Sequence, residues 1–200
     1  GETHQGVFDL SFLRHIPNMT VLSPKNAWEL EEMLDYAVNV CKGPVAVRYP
    51  RGTASEQFEM HRLPLETGKA EWIAKGEEIG IIAEGHMLDA VYEAAEQLRR
   101  DGKNPAVINA RFICPLDEEM LQEAAKQCSI IFTVEDNIRE GGFGSGVLEF
   151  YSDRNIPVRV KNIAFPGIFI PQGTQAQLFA KYGLDAAGIY RTIKESMGEG

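Results

Sequence analysis

Two short and nearly unbroken apolar runs, Ile79 to Ala83 and Ile130 to Val134, constrain the fold more than any other feature of this sequence. Runs of this kind are expected where a β-strand is covered on both faces, as in a parallel sheet between helices. The stretch after the first run carries Leu88, Val91, Tyr92, Ala95 and Leu98 at helical spacing, and the pattern stops near Gly102. Ala106 to Ile108 reads as the next strand, followed closely by Pro115. Asp117 is suited to N-cap a helix through Ala125, and Val158 to Ala164 reads as a last strand. Two short helices, near Gln175 to Lys181 and from about Asp185 to Ser196, close the chain. This alternation predicts an α/β fold of three layers, α/β/α, with a mostly parallel sheet.

The first part of the chain repeats the theme. Thr20 to Leu22 reads as a short strand broken by Ser23-Pro24. Asn26 and Glu29 have capping-box spacing, and Leu30, Met33, Leu34, Ala37, Val38 and Cys41 form an apolar helical stripe that Gly43-Pro44 ends. Val45, Val47 and Tyr49 alternate with Ala46 and Arg48 as a strand. Pro50 to Pro64 is polar and irregular, a linker that Phe58, Met60 and Leu63 would pin to a surface. A second unit begins around Glu66, with Ala70 to Ala74 as an edge strand.

The net charge of −9, with acids spread along helices, argues against nucleic acid as a partner, because phosphate binding needs a basic face. No apolar run approaches the roughly 20 residues of a membrane helix, so no membrane partner is expected. Cys41, Cys114 and Cys128 lack metal-ligand spacing and read as buried thiols, which fits a reducing, cytoplasmic setting.

Few residues carry chemistry. His4 lies in a loop flanked by Gly1 and Gly6, where it could act as a general acid-base or simply bond a neighbouring backbone group. Arg48 and Arg51 flank Tyr49-Pro50 at the C-terminal end of a strand, the edge where α/β sheets bind ligands. Either could grip a phosphate with its planar fork, or pair with acids such as Glu56 or Asp9. Gly141, Gly142, Gly144 and Gly146 could cradle phosphate at a helix start. They match neither the P-loop nor the dinucleotide fingerprint, and Glu135, Asp136 and Glu140 precede them, so close packing competes with anion binding. His15, His61 and His86 are scattered and read as structural or surface residues. Glu31-Glu32 and Glu118-Glu119 read as solvated helix faces.

With those residues in view, the chain resembles the 1-deoxy-D-xylulose-5-phosphate synthase family of transketolase-like enzymes. The resemblance rests on Thr3 to Leu13 (THQGVFDLSFL), Ile16 to Met19, Gly43 to Gly52, Ile108 to Phe112, Pro115 to Asp117, Glu140 to Gly146, Ile170 to Thr174 and Gly183 to Ile189. It implies a thiamine-diphosphate and Mg2+ enzyme that joins pyruvate to D-glyceraldehyde 3-phosphate with loss of CO2, on the way to isoprenoids, thiamine and pyridoxal. It also implies a homodimer. Residues 1–64 would be the last part of a pyrimidine-binding domain and residues 65–200 a complete transketolase-type C-terminal domain. His4 would be the catalytic imidazole near substrate and cofactor, and Arg51 the grip on the substrate phosphate. No further cofactor residue and no metal ligand is expected here. The resemblance places the diphosphate-binding domain, its Mg2+ ligands and the glutamate that activates the cofactor in other parts of the same enzyme. Because the chain opens on its most chemical loop, we read it as the C-terminal piece of something larger, inactive alone and partnered by the N-terminal part. The competing reading is a stand-alone, non-catalytic dimerisation or interaction module. Another thiamine enzyme, such as a transketolase or an oxo-acid dehydrogenase β subunit, fits the block from Phe8 to Met19 less well.

Overall fold

The computed structural model describes residues 4–198. In chain order the first elements are α1 (Asp9–Arg14), β1 (Thr20–Leu22), α2 (Ala27–Asp35), a π turn that continues it (Tyr36–Val40), and β2 (Val45–Val47). Then come β3 (Glu71–Ala74), β4 (Glu78–Ala83), α3 (Met87–Arg100), β5 (Ala106–Asn109), β6 (Phe112–Cys114) and α4 (Glu118–Gln127). The last are β7 (Cys128–Ile138), α5 (Phe143–Asp153), β8 (Arg159–Phe165), α6 (Gln175–Tyr182) and α7 (Ala186–Ser196).

The larger sheet runs in the order β3-β5-β4-β7-β8. All its pairings are parallel except that of the edge strand β3 with β5. Side chains alternate across a strand, so Ile79, Ile81 and Ala83 of β4 join Ile130, Phe132 and Val134 of β7 in one apolar cluster with α3 and α7. Ile82 and Ile131 join a second cluster with α4 and α5 on the other face. Both central strands are buried on both sides, and the expected α/β/α layering follows from that. Each fully buried Ile or Phe contributes about 1.5–3 kcal/mol from leaving water.

The smaller sheet has the order β2-β1-β6. β1 and β2 are parallel. β6 comes from the second half of the chain and pairs antiparallel with β1, placing Val21 opposite Cys114 and Leu22 opposite Phe112. Neither β6 nor α1 was expected. Three residues ahead of a proline carry too little pattern to announce a strand, and α1 has no side-chain cap to mark its start.

Several expectations need correction. Asn26 does cap α2, accepting from Glu29 N at 3.0 Å, but the Glu29 carboxylate turns away to Lys25 N at 2.7 Å, so the box does not close on Asn26. Of the three apolar side chains expected to pin the 50–64 linker, Phe58 packs edge-on to Tyr92, whereas Met60 is 94% exposed and Leu63 half exposed. Of the cysteines only Cys128 is buried; Cys41 and Cys114 are partly exposed because they lie at the rim of the smaller sheet. Burial pushes the Cys128 thiol up to about 11.

Candidate functional site

Three strand ends meet at one guanidinium. β2 stops at Val47, but Arg48 N still donates to Leu22 O at 2.8 Å, which aims the Arg48 side chain at the ends of β4 and β7. There Nη1 donates to Glu84 Oε1 at 3.3 Å and to Asp136 Oδ1. Nη2 donates to Asp136 O at 3.3 Å and to Gly6 O at 3.2 Å. Glu84 directly follows β4 and is fully buried, and its Oε2 accepts from Ser23 Oγ at 2.5 Å. His86, at the head of α3, pairs with Asp136 Oδ2 at 3.0 Å and stacks on Phe179. Arg48 thus takes the acid-paired alternative: it bonds Glu84 and Asp136, and the expected Asp9 adds a further charge attraction.

The charges of this cluster are interdependent. Burial and repulsion from Asp136 push the Glu84 carboxyl up to about 7, only partly offset by Arg48. Burial opposes ionisation of Asp136 too, but Arg48 and His86 outweigh it and hold that carboxyl well below its usual range. Burial likewise disfavours a charged His86, yet its bond and charge interaction with Asp136 raise its pKa above the ordinary imidazole value. Glu84, His86 and Asp136 bring one ligand atom each within 4.8 Å of one another. His86 therefore departs from the reading of an isolated structural histidine.

Arg51 lies three residues beyond Arg48, exposed on the wall of a cleft of about 430 Å³. Lys25, Tyr49, His86, Asp89 and Gln175 share that wall. His4 is exposed and is not among the residues that line it. The segment that carries His4 is tied down by Gln5 Nε2 donating to Pro171 O at 3.4 Å, by Arg48 on Gly6 O, and by Ile138 N donating to Val7 O at 2.7 Å. Gly1, the other flank of the loop expected around His4, lies outside the described residues.

The glycine-rich start of α5 does hold an anion, and it is the protein's own. Glu135 accepts from Phe143 N at 2.7 Å and from Gly144 N at 2.8 Å. A side chain at Gly142 would strike the Glu135 carboxylate and the Asn137 amide. Burial of Glu135 outweighs both amide bonds and pushes its carboxyl up to about 8. This loop has no room for a ligand phosphate. The Glu84-His86-Asp136 cluster, in turn, already has its cation in Arg48, and its mixed nitrogen and oxygen donors differ from the all-oxygen set that Mg2+ prefers. Neither of these two places therefore suits a diphosphate or Mg2+.

A second buried polar group lies beside the cleft. Lys25 Nζ pairs with Glu29 at 3.1 Å and Glu71 at 2.6 Å, and Arg111 Nε pairs with Glu29 at 2.9 Å. These residues join α2, β3 and the β5–β6 connection. His15 bonds Ser11 O and His61 packs on Phe58, in keeping with surface roles. The sequence signal for Glu84 and Asp136 was their position, each at the C-terminal end of a doubly buried strand, where side chains converge.

The family model for the transketolase C-terminal domain matches residues 68–189, and that for the transketolase pyrimidine binding domain matches residues 1–56. The chain belongs to the transketolase family. It is 46% identical over 200 residues to a 1-deoxy-D-xylulose-5-phosphate synthase of Caldanaerobacter subterraneus subsp. tengcongensis, covering 100% of this chain and 32% of that protein. A 1-deoxy-D-xylulose-5-phosphate synthase 1 of Geobacter sulfurreducens is 47% identical over 193 residues, 94% of this chain and 30% of the relative. The Aquifex aeolicus synthase is 42% identical over 204 residues. The chain spans about a third of the length of the relatives it matches. A solved structure described as a split gene transketolase, inactive beta4 tetramer, superposes with TM-score 0.90 at 29% identity, covering 98% of this chain and 63% of that one. No helix among the described residues is long and apolar enough to cross a membrane.

Proposed function

We propose that this transketolase-family chain forms the C-terminal part of a 1-deoxy-D-xylulose-5-phosphate synthase, condensing pyruvate with D-glyceraldehyde 3-phosphate with loss of CO2. The observation that carries this reading is identity above 40% to such synthases along essentially the whole chain. Residues 1–64 complete a pyrimidine-binding domain and residues 65–200 make the C-terminal domain. Thiamine diphosphate, with its Mg2+, supplies the carbanion chemistry. Neither the α5 glycine loop nor the Glu84-His86-Asp136 group suits a diphosphate or Mg2+, and both belong in the remaining two-thirds of the enzyme. The assembled enzyme is a cytoplasmic homodimer.

His4 moves a proton at a substrate oxygen, and its exposed position suits a group that must meet a ligand held partly by other chain segments. Arg51 binds the phosphate of the aldehyde substrate, and its exposed place on the cleft wall suits that role. The 200 residues alone are inactive. The split-gene relative, an inactive tetramer, supports this last point.

The test is product formation from pyruvate and glyceraldehyde 3-phosphate with thiamine diphosphate and Mg2+. The chain alone gives none, while the chain joined to the rest of the synthase is active. In that longer enzyme Arg51→Gln raises KM for the phosphorylated aldehyde by about 10- to 100-fold, as expected for losing a charge-assisted bond of about 1.5–3 kcal/mol. His4→Ala lowers kcat by roughly 10²- to 10⁴-fold. Turnover by the isolated chain, or an unchanged aldehyde KM in Arg51→Gln, would overturn the assignment.

A further inference from the structure

The Arg48 guanidinium is the place where the segment carrying His4 touches the larger sheet's charged rim. One planar group donates to Gly6 O, two residues after His4, and also to Glu84 and Asp136. Its side chain is only 13% exposed, so these bonds do not compete freely with water. Two other ties of the opening segment come from the same rim, beside that of Gln5 to Pro171 O: Ile138 N donates to Val7 O, and Leu10 N donates to Asn137 Oδ1 at 3.1 Å. The end of β7 therefore grips the segment by its backbone on one side while Arg48 grips it on the other.

From this arrangement we infer that Arg48 is a positioning residue for His4, through which the C-terminal unit fixes the backbone that presents the imidazole. The inference rests on the role of His4 proposed above. A guanidinium is needed because its rigid fork has five donors that reach two carboxylates and two carbonyls at once. An ammonium carries the same charge on a single point and has three donors, too few to span the four acceptors. Arg48→Lys therefore keeps the charge balance with Glu84 and Asp136 and releases Gly6 O.

Two readouts decide it. In the 200-residue chain, hydrogen–deuterium exchange of the amides at 5–10 should quicken at least tenfold in Arg48→Lys, with β4 and β7 unchanged. Asp136→Asn, which keeps the side chain's shape and loosens the guanidinium, should show the same pattern and serves if the lysine variant does not fold. In the longer enzyme Arg48→Lys should lower kcat about 10²-fold with both KM values within about twofold. On a His4→Ala background the same change should have less than about a threefold effect, because the group being positioned is gone. Unchanged exchange at 5–10, or losses that multiply with His4→Ala, would overturn the inference. If the unmodified longer enzyme makes no product from the two substrates, the proposed activity falls, and the exchange experiment alone then decides whether Arg48 holds the segment.

Discussion

Neutralising Glu29 gives a sharp test of how the two parts of the molecule are joined. Glu29 is fully buried, and its carboxylate accepts from Lys25 N and Asn109 Nδ2 and pairs with Lys25 Nζ and Arg111 Nε. With Glu71 the set holds two cations and two anions, so it is neutral overall. Glu29→Gln leaves the same volume and one uncompensated buried positive charge. Removing one member of such a pair costs about 3–5 kcal/mol. Lys25 keeps Glu71, and Arg111 keeps the carbonyls of Leu63 and Pro64, so the lower end, about 3 kcal/mol, is expected. For a chain of this size that is a fall in Tm of about 6–12 °C. Urea unfolding followed by tryptophan fluorescence reads it as a lower midpoint at unchanged m. The loss should be nearly the same at low and high salt, since screening acts mainly on exposed charges. Adding Lys25→Met restores neutrality, so the double variant should be more stable than the sum of the singles predicts, by about 1–3 kcal/mol. A loss below about 1 kcal/mol for Glu29→Gln, or strict additivity with Lys25→Met, would refute the argument.

Two further outcomes follow from the cluster at the strand ends. Gly142→Ala should destabilise by about 1–3 kcal/mol in the same unfolding assay, because its new carbon meets a Glu135 carboxylate already fixed by two amides of α5. His86→Gln should reveal a pH-dependent contribution. Its folded pKa is raised, so the imidazolium stabilises the fold fully below the ordinary imidazole value near 6.5 and loses that effect as pH rises through the higher folded value. Unfolding curves from pH 6 to 9 should show the gap between wild type and His86→Gln narrowing as pH rises; a gap that widens would reverse the sign of the coupling.

The larger sheet was readable from sequence because its central strands obey a local rule: burial on both faces removes polar alternation, as in Ile79 to Ala83 and Ile130 to Val134. The caps Asn26 and Asp117 were readable for a similar reason, since each side chain bonds an amide three residues ahead. The charged rim was not. Arg48 and Asp136 are 88 positions apart in the chain, and no spacing rule joins them. The glycine run was ambiguous, because the same backbone amides that receive a phosphate elsewhere here receive Glu135. His4 and Arg51 were picked out by family resemblance more than by pattern; the fold puts Arg51 on the wall of a cleft that His4 does not line.

The excursion of β6 into the smaller sheet has a mechanical consequence. Residues 112–114 belong by sequence to the later unit, yet they supply an outer strand of the earlier one. The irregular stretch from 50 to 64 is then not the only tether between the halves: strand pairing joins them directly, so a displacement of β6 would be passed to β1 and, across it, to β2, the strand that Arg48 follows.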